Sequence, residues 1–237
     1  MQLSKLEDLV YKTLKNAGFS VFRARDLCML LKVSRIKAYN IIKSLKKKNV
    51  IKKIKNGLFS FGDISEFTLA TSIHYPSYIS FWSALSYYGL TDNMPRKIFL
   101  ITTKFSKEIN HFKYITLSEK RFFGYIQIGE LVIAEKEKAI IDSLLFPKYA
   151  GGIKEIIKCI KITLKEIDIK KLINYAEKIQ SKVVLRRLGY ILELNGYKNK
   201  SDLEKIRKKI GNGYEFLDPN LKRKNNLNNK WLLDINC

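Results

Sequence analysis

The chain has 237 residues and carries 45 Lys and Arg against 22 Asp and Glu, a formal net charge of +23. Its 46% hydrophobic and 12% aromatic content is enough to bury a core in each of two domains, which excludes a disordered polycation. The charge points to a polyanionic partner. No run approaches the roughly 18 apolar residues of a membrane span, and the opening MQLSKLEDLVYK is amphipathic rather than a leader, so a cytoplasmic, nucleoid-associated chain with no membrane partner is expected. Cys28, Cys159 and Cys237 share no metal-ligand spacing and suggest neither a disulfide framework nor a metal site.

Taken in order, Leu6, Leu9, Val10, Thr13 and Leu14 give a first helix its buried stripe, and Gly18 closes it as the C′ residue. Arg23 to Leu31 reads as a short second helix, with Leu27, Leu30 and Val33 facing the same core. Ser34 is a good N-cap, since its hydroxyl can accept from an orphan N–H of the next turn. The helix that follows buries Ala38, Ile41, Ile42 and Leu45 at spacings of three and four and leaves Arg35, Lys37, Tyr39, Asn40 and Lys43 outside. Asn56-Gly57 then predicts a type I′ turn between strands Ile51-Lys55 and Leu58-Phe61, a hairpin carrying Lys52, Lys53 and Lys55.

This order of elements predicts an N-terminal winged helix-turn-helix over residues 1–62, followed by an α+β domain over 63–237. Residues 1–62 hold fifteen Lys or Arg against three Asp or Glu. Double-stranded DNA is the expected partner, because an α-helix fits the major groove. Arg35 and Asn40 are candidates to read base edges; Lys37, Lys43, Lys52, Lys53 and Lys55, with Ser34, Tyr39 and Asn56 beside them, would position the backbone. The alternative is that these lysines are a solvated face, or that the module binds RNA or protein without operator specificity.

The second domain opens with a short helix from Phe67 to Tyr75 and an aromatic helix from Tyr78 to Tyr88 ended by Gly89. Lys97–Thr103, Phe112–Leu117 and Tyr125–Ala134, with Gly129 at a hairpin turn, predict a small, mostly antiparallel sheet. Helices are expected at 135–145, 152–163, 168–180, 182–194 and 201–210, and the segments Tyr214–Leu217 and Trp231–Ile235 would return to the sheet. Residues 63–150 hold ten basic and nine acidic residues, whereas 151–237 hold twenty and ten. Lys198 to Lys209, with Arg186 and Arg187, could extend a nucleic-acid track or form a solvated helix face.

The series YISFWSALSYYGL at 78–90, Pro95, KIFLITT, IAEKEKAIIDSLL at 133–145, Gly151-Gly152, Arg187-Leu188-Gly189-Tyr190, Leu217-Asp218-Pro219, Trp231 and Asn236 resembles the AbiEi antitoxin-type transcriptional regulators of abortive-infection systems. The hairpin's Gly57-Leu58-Phe59 is similar to that family's Gly-Leu-Tyr. The resemblance implies an autorepressor that binds inverted repeats at its own promoter, with possible self-association on DNA. It also implies a type IV toxin-antitoxin system, in which the antitoxin opposes a nucleotidyltransferase toxin without gripping it.

An enzyme reading rests on Glu130, Glu135, Glu137 and Asp142, carboxylates that could hold a divalent ion in a nuclease. Against it, Glu135 suits the first turn of a helix, and Lys138 four residues before Asp142 forms a surface pair or, if buried, bonds to neighbouring elements. His74 and His111, read as surface or turn residues, sit in no nucleophilic arrangement, and Gly151-Gly152 lacks the Lys-Ser of a phosphate loop. Tyr78, Phe81, Trp82, Tyr87 and Tyr88 could stack on bases, but helical spacing makes most of them core. The expectation is a non-enzymatic DNA-binding regulator without cofactors.

Overall fold

A computed structural model describes residues 3–62 and 64–237. Asp63, at the junction expected from sequence, lies outside the described residues. The chain is α+β and forms two compact units: the first runs to Tyr75 and includes Gly129–Leu131, and the second holds Pro76–Ile128 and Val132–Cys237. The division therefore falls after one more helix than the 62/63 boundary expected from sequence.

In the first unit, α1 (Lys5–Asn16) begins at Ser4, whose hydroxyl accepts from Glu7 N at 3.3 Å while the Glu7 carboxylate accepts from Ser4 N at 2.7 Å. Strand β1 (Val21–Phe22) precedes α2 (Ala24–Leu31), α3 (Arg35–Lys47) and the hairpin β2 (Ile51–Lys55) and β3 (Leu58–Phe61); α4 (Glu66–Ile73) closes the unit. The three strands form an antiparallel sheet ordered β1-β3-β2. Val10, Leu14, Phe22, Leu27, Ala38, Ile41, Ile42, Leu45, Ile51 and Phe59 make one core. The α3 stripe is buried as its spacing predicts, but Leu6, Leu9 and Leu30 are exposed, because two short helices need only one narrow seam each to cover this small core.

The hairpin turn also differs from expectation. Gly57 has a φ of 75°, but Asn56 is not among the positive-φ residues, and the register shifts between Lys53 and Lys55. A single left-handed glycine with a bulge absorbs one extra residue where a type I′ turn would need two positive-φ positions.

In the second unit, β4 (Ser77–Ile79), α5 (Phe81–Tyr87), β5 (Ile98–Thr102), β6 (Lys107–Ile109), β7 (Phe112–Thr116), β8 (Tyr125–Ile128) and β9 (Leu131–Ala134) supply a six-stranded sheet ordered β6-β7-β5-β4-β9-β8. It is mixed rather than mostly antiparallel: β4/β9 and β5/β7 are parallel, while β4/β5 and β6/β7 are antiparallel. The aromatic run at 78–88 is not one helix. It divides at Ser80, after which Phe81, fully buried, takes a φ of 53° and turns the chain from strand into helix.

Helices α6 (Lys136–Leu145), α7 (Ile153–Thr163), α8 (Ile169–Lys178), α9 (Lys182–Leu194) and α10 (Lys200–Arg207) follow. The C-terminal segments do not rejoin the large sheet; β10 (Glu215–Phe216), β11 (Leu227–Asn228) and β12 (Leu233–Asp234) form a separate sheet ordered β10-β12-β11. Trp231 is fully buried against α9, where a Cβ on Gly189 would meet its ring at 2.1 Å. Only glycine lets the helix backbone and the indole approach this closely.

Candidate nucleic-acid interface

Helix α3 is presented by a staple built from Glu7. While still accepting from Ser4 N in the α1 capping box, its carboxylate also accepts from Ser44 Oγ at 2.6 Å and Lys48 Nζ at 2.5 Å, both from the α3 end of the unit. The Lys48 hydrogen bond, then Ser44 and the Ser4 backbone, hold the Glu7 carboxyl down to about 2. One acidic group thus fixes α3 against α1.

Ser34 caps α3 as expected, its Oγ accepting from Lys37 N at 3.3 Å. With Ala38, Ile41, Ile42 and Leu45 buried, the opposite side of the helix carries Ile36, Asn40, Lys43 and Lys47 at spacings of four, three and four. All four are exposed. Lys37, Lys43, Lys46 and Lys47 have no acidic partner within ion-pair distance among the described residues, so their charges are offered to solvent. The sequence reading passed over Ile36 and Lys47; the position of Ile36 four residues before Asn40 is the signal that could have found it.

Arg35 stands to one side of this stripe, its guanidinium carbon 5.8 Å from the centre of the Tyr39 ring. The two line an open groove of about 600 Å³ with Arg23, Arg25 and Met29 of the α2 segment and Asn56 and Gly57 of the hairpin turn. Three arginines thus converge there, of which the sequence reading named Arg35 alone. A planar guanidinium fork suits phosphate or a guanine edge in a way a lysine does not.

The hairpin lysines separate. Lys52 and Lys53 are exposed, but Lys55 is half-buried and donates to Ile73 O at 3.0 Å, tying the hairpin to the end of α4. Lys55 therefore has a structural job in place of an outward one.

The acidic residues weighed as a nuclease site have a different setting. Glu130 belongs to the first unit and Glu135, Glu137 and Asp142 to the second. Asp142 is fully buried: it pairs with Lys138 and accepts from Ser80 Oγ at 2.7 Å and Tyr78 OH at 3.3 Å, and Lys138 Nζ in turn donates to Tyr78 OH at 3.0 Å. Burial pushes the Asp142 carboxyl up and the Lys138 ammonium down, while each opposes the other's shift. The pair is not on a helix surface. Glu135 is bound by Lys171 at 2.9 Å and by the Tyr175 hydroxyl. Among the described residues no three His, Cys, Asp or Glu are grouped to hold a metal ion. His74 is buried rather than at the surface.

The second basic region is taken up by protein in part: Lys198, Lys200, Arg207 and Lys208 are exposed, with no acidic partner within ion-pair distance among the described residues. Arg186 donates to Ile210 O and Asn212 O, Arg187 donates to Leu144 O at 2.7 Å and Phe216 O at 3.0 Å, and both are buried. Lys205 and Lys209 both pair with Glu177, at 3.3 and 2.9 Å. Of the aromatics expected to be mostly core, Tyr78 and Phe81 are buried, Trp82 and Tyr88 are half-buried and Tyr87 is exposed, and Tyr78 is placed by strand β4 rather than by helical spacing.

Comparison with known proteins gives a likeness of fold. The crystal structure of the RV2827C protein from Mycobacterium tuberculosis is similar over 98% of this chain and 92% of its own, with a TM-score of 0.63 and 12% sequence identity. No family model and no curated relative matches the chain. No helix among the described residues is long and apolar enough to cross a membrane.

Proposed function

We infer that the first unit is a winged helix-turn-helix that binds double-stranded DNA, and that the protein is a sequence-specific transcriptional regulator. The observation that carries this reading is the outward stripe of α3, where Asn40 lies in line with Lys43 and Lys47, whose charges no acidic group among the described residues meets. The element order α1-β1-α2-α3-β2-β3, with β1 paired to β3, supports the winged-helix reading, in which α3 would be the recognition helix. Asn40 would read adenine N6 and N7, Arg35 a guanine edge or a phosphate, and Lys37, Lys43, Lys47, Lys52 and Lys53 the backbone.

The resemblance of residues 78–236 to AbiEi antitoxins extends the reading to an autorepressing, cytoplasmic antitoxin of a type IV system, acting at inverted repeats in its own promoter. Two copies would then read half-sites about one helical turn, roughly 34 Å, apart. The toxin it opposes would be a nucleotidyltransferase, met through the toxin's target and not by direct binding.

The test is binding of the full chain to the duplex immediately upstream of its own gene, against a scrambled duplex and an RNA of the same sequence. Selective binding to the promoter duplex, weakened by about 1–3 kcal/mol in Asn40→Ala and in Arg35→Ala, is expected. Binding indifferent to sequence and to both substitutions, or preference for RNA, would contradict the regulator reading.

A further inference from the structure

Ile36 is an apolar side chain on a cationic surface of the first unit, the helix that carries Arg35, Lys37, Lys43, Lys46 and Lys47. It is 76% exposed, in the first turn of α3, flanked in sequence by Arg35 and Lys37 and followed on the same face by Asn40, Lys43 and Lys47. Nothing among the described residues covers it. Ile36 and Tyr39, three residues on and 44% exposed, together fall far short of a protein-partner surface, since a stable interface needs on the order of 800 Å² from each side. The surrounding positive charge also selects against an apolar or basic protein surface. It suits the one polyanion whose groove floor carries isolated methyl groups. In the major groove the thymine C5-methyl is such a group, and an A·T pair presents it beside the adenine atoms that an asparagine can grip.

We propose that Ile36 reads a thymine methyl in the half-site, as a second specificity-determining residue one helical turn from Asn40. This rests on the DNA-binding reading of α3. Residues four apart on a helix place their Cβ atoms about 5–6 Å apart. Base pairs rise about 3.4 Å per step. The thymine read by Ile36 therefore lies one or two steps from the base read by Asn40. Contact with the methyl removes apolar surface from water on both sides, which supplies discrimination without a hydrogen bond.

The experiment selects preferred duplexes from a randomised pool with the full chain, then replaces each thymine of the selected site singly by deoxyuridine, which lacks only the methyl. The expected result is one thymine per half-site whose replacement weakens wild-type binding on the order of fourfold. That thymine falls within two steps of the position whose preference is lost in Asn40→Ala. Ile36→Ala binds the thymine and uracil duplexes equally, and Ile36→Val keeps the difference. Its exposure means that neither substitution changes the melting temperature.

Selective binding that is insensitive to uracil at every position, or a uracil effect that survives in Ile36→Ala, overturns the role of Ile36 and leaves the regulator reading standing. The absence of any sequence preference in the selection overturns both.

Discussion

Helix α3 and the group formed by Lys138, Arg186, Arg187, Lys205 and Lys209 use positive charge in opposite ways. In the first unit Lys37, Lys43, Lys46 and Lys47 project from α3 with no acidic group within reach among the described residues. In the second, Arg186 and Arg187 point inward to backbone carbonyls, Lys205 and Lys209 share Glu177, and Lys138 is sealed in the core with Asp142. A charge total does not distinguish these cases, because a buried guanidinium satisfied by carbonyls and an exposed ammonium contribute equally to a composition. What marks a surface as ready for a polyanion is cations on one face whose counter-charge the protein has left out.

The contrast is most sharply broken at Lys138 and Asp142. Asp142→Asn leaves the ammonium buried without a counter-ion and is expected to destabilise the second unit by about 3–5 kcal/mol in chemical denaturation. The double change Lys138→Met, Asp142→Leu is expected to cost far less, because it removes both desolvated charges at once. Equal losses in the single and double variants would show that the shape of the network matters and its charge does not. Next in size is Gly189→Ala, whose methyl would overlap the Trp231 ring and force α9 and the C-terminal sheet apart, at about 1–3 kcal/mol in the same assay. Duplex binding should be unchanged when assayed at a temperature where the variant is folded.

A smaller effect is expected from acid. The folded-state carboxyl of Glu7 lies near 2, below its unfolded value, so its contribution to stability is full above the ordinary carboxylate range and is lost as pH falls toward 2. The melting temperature of the first unit should therefore fall as pH drops from about 5 to 2. Glu7→Gln should lower it at neutral pH and flatten that dependence, a comparison that calorimetry can make directly.

How far the sequence could be read follows from how local each signal was. Helix α3 and its four core residues were legible because spacing, cap and length agree within fourteen positions, and strands β5, β7 and the β8/β9 pair around Gly129 were legible from β-branched and aromatic runs. Strand β4 was not, because Tyr78 to Tyr88 keeps a helical spacing of aromatics across a break made by Phe81, a residue type that seldom accepts a left-handed conformation. The burial of Lys138 was equally hidden. A lysine four residues before an aspartate reads as a surface pair, and only the pairing of β4 beside β9 brings Tyr78 and Ser80 over it. In the candidate interface, the outward residues of α3 were readable from the wheel, whereas the arginine groove required α2, α3 and the hairpin turn to be brought together.

The most direct test of the central claim is the salt dependence of duplex binding in two variants that each remove two positive charges: Lys43→Gln with Lys47→Gln, and Lys205→Gln with Lys209→Gln. Each phosphate contact contributes about 0.9 to the slope of log affinity against log salt. The first pair is therefore expected to lower the magnitude of the slope by nearly two and the second to leave it unchanged. Equal reductions in both variants would mean that total charge, and not its placement on α3, governs binding, and would contradict the account.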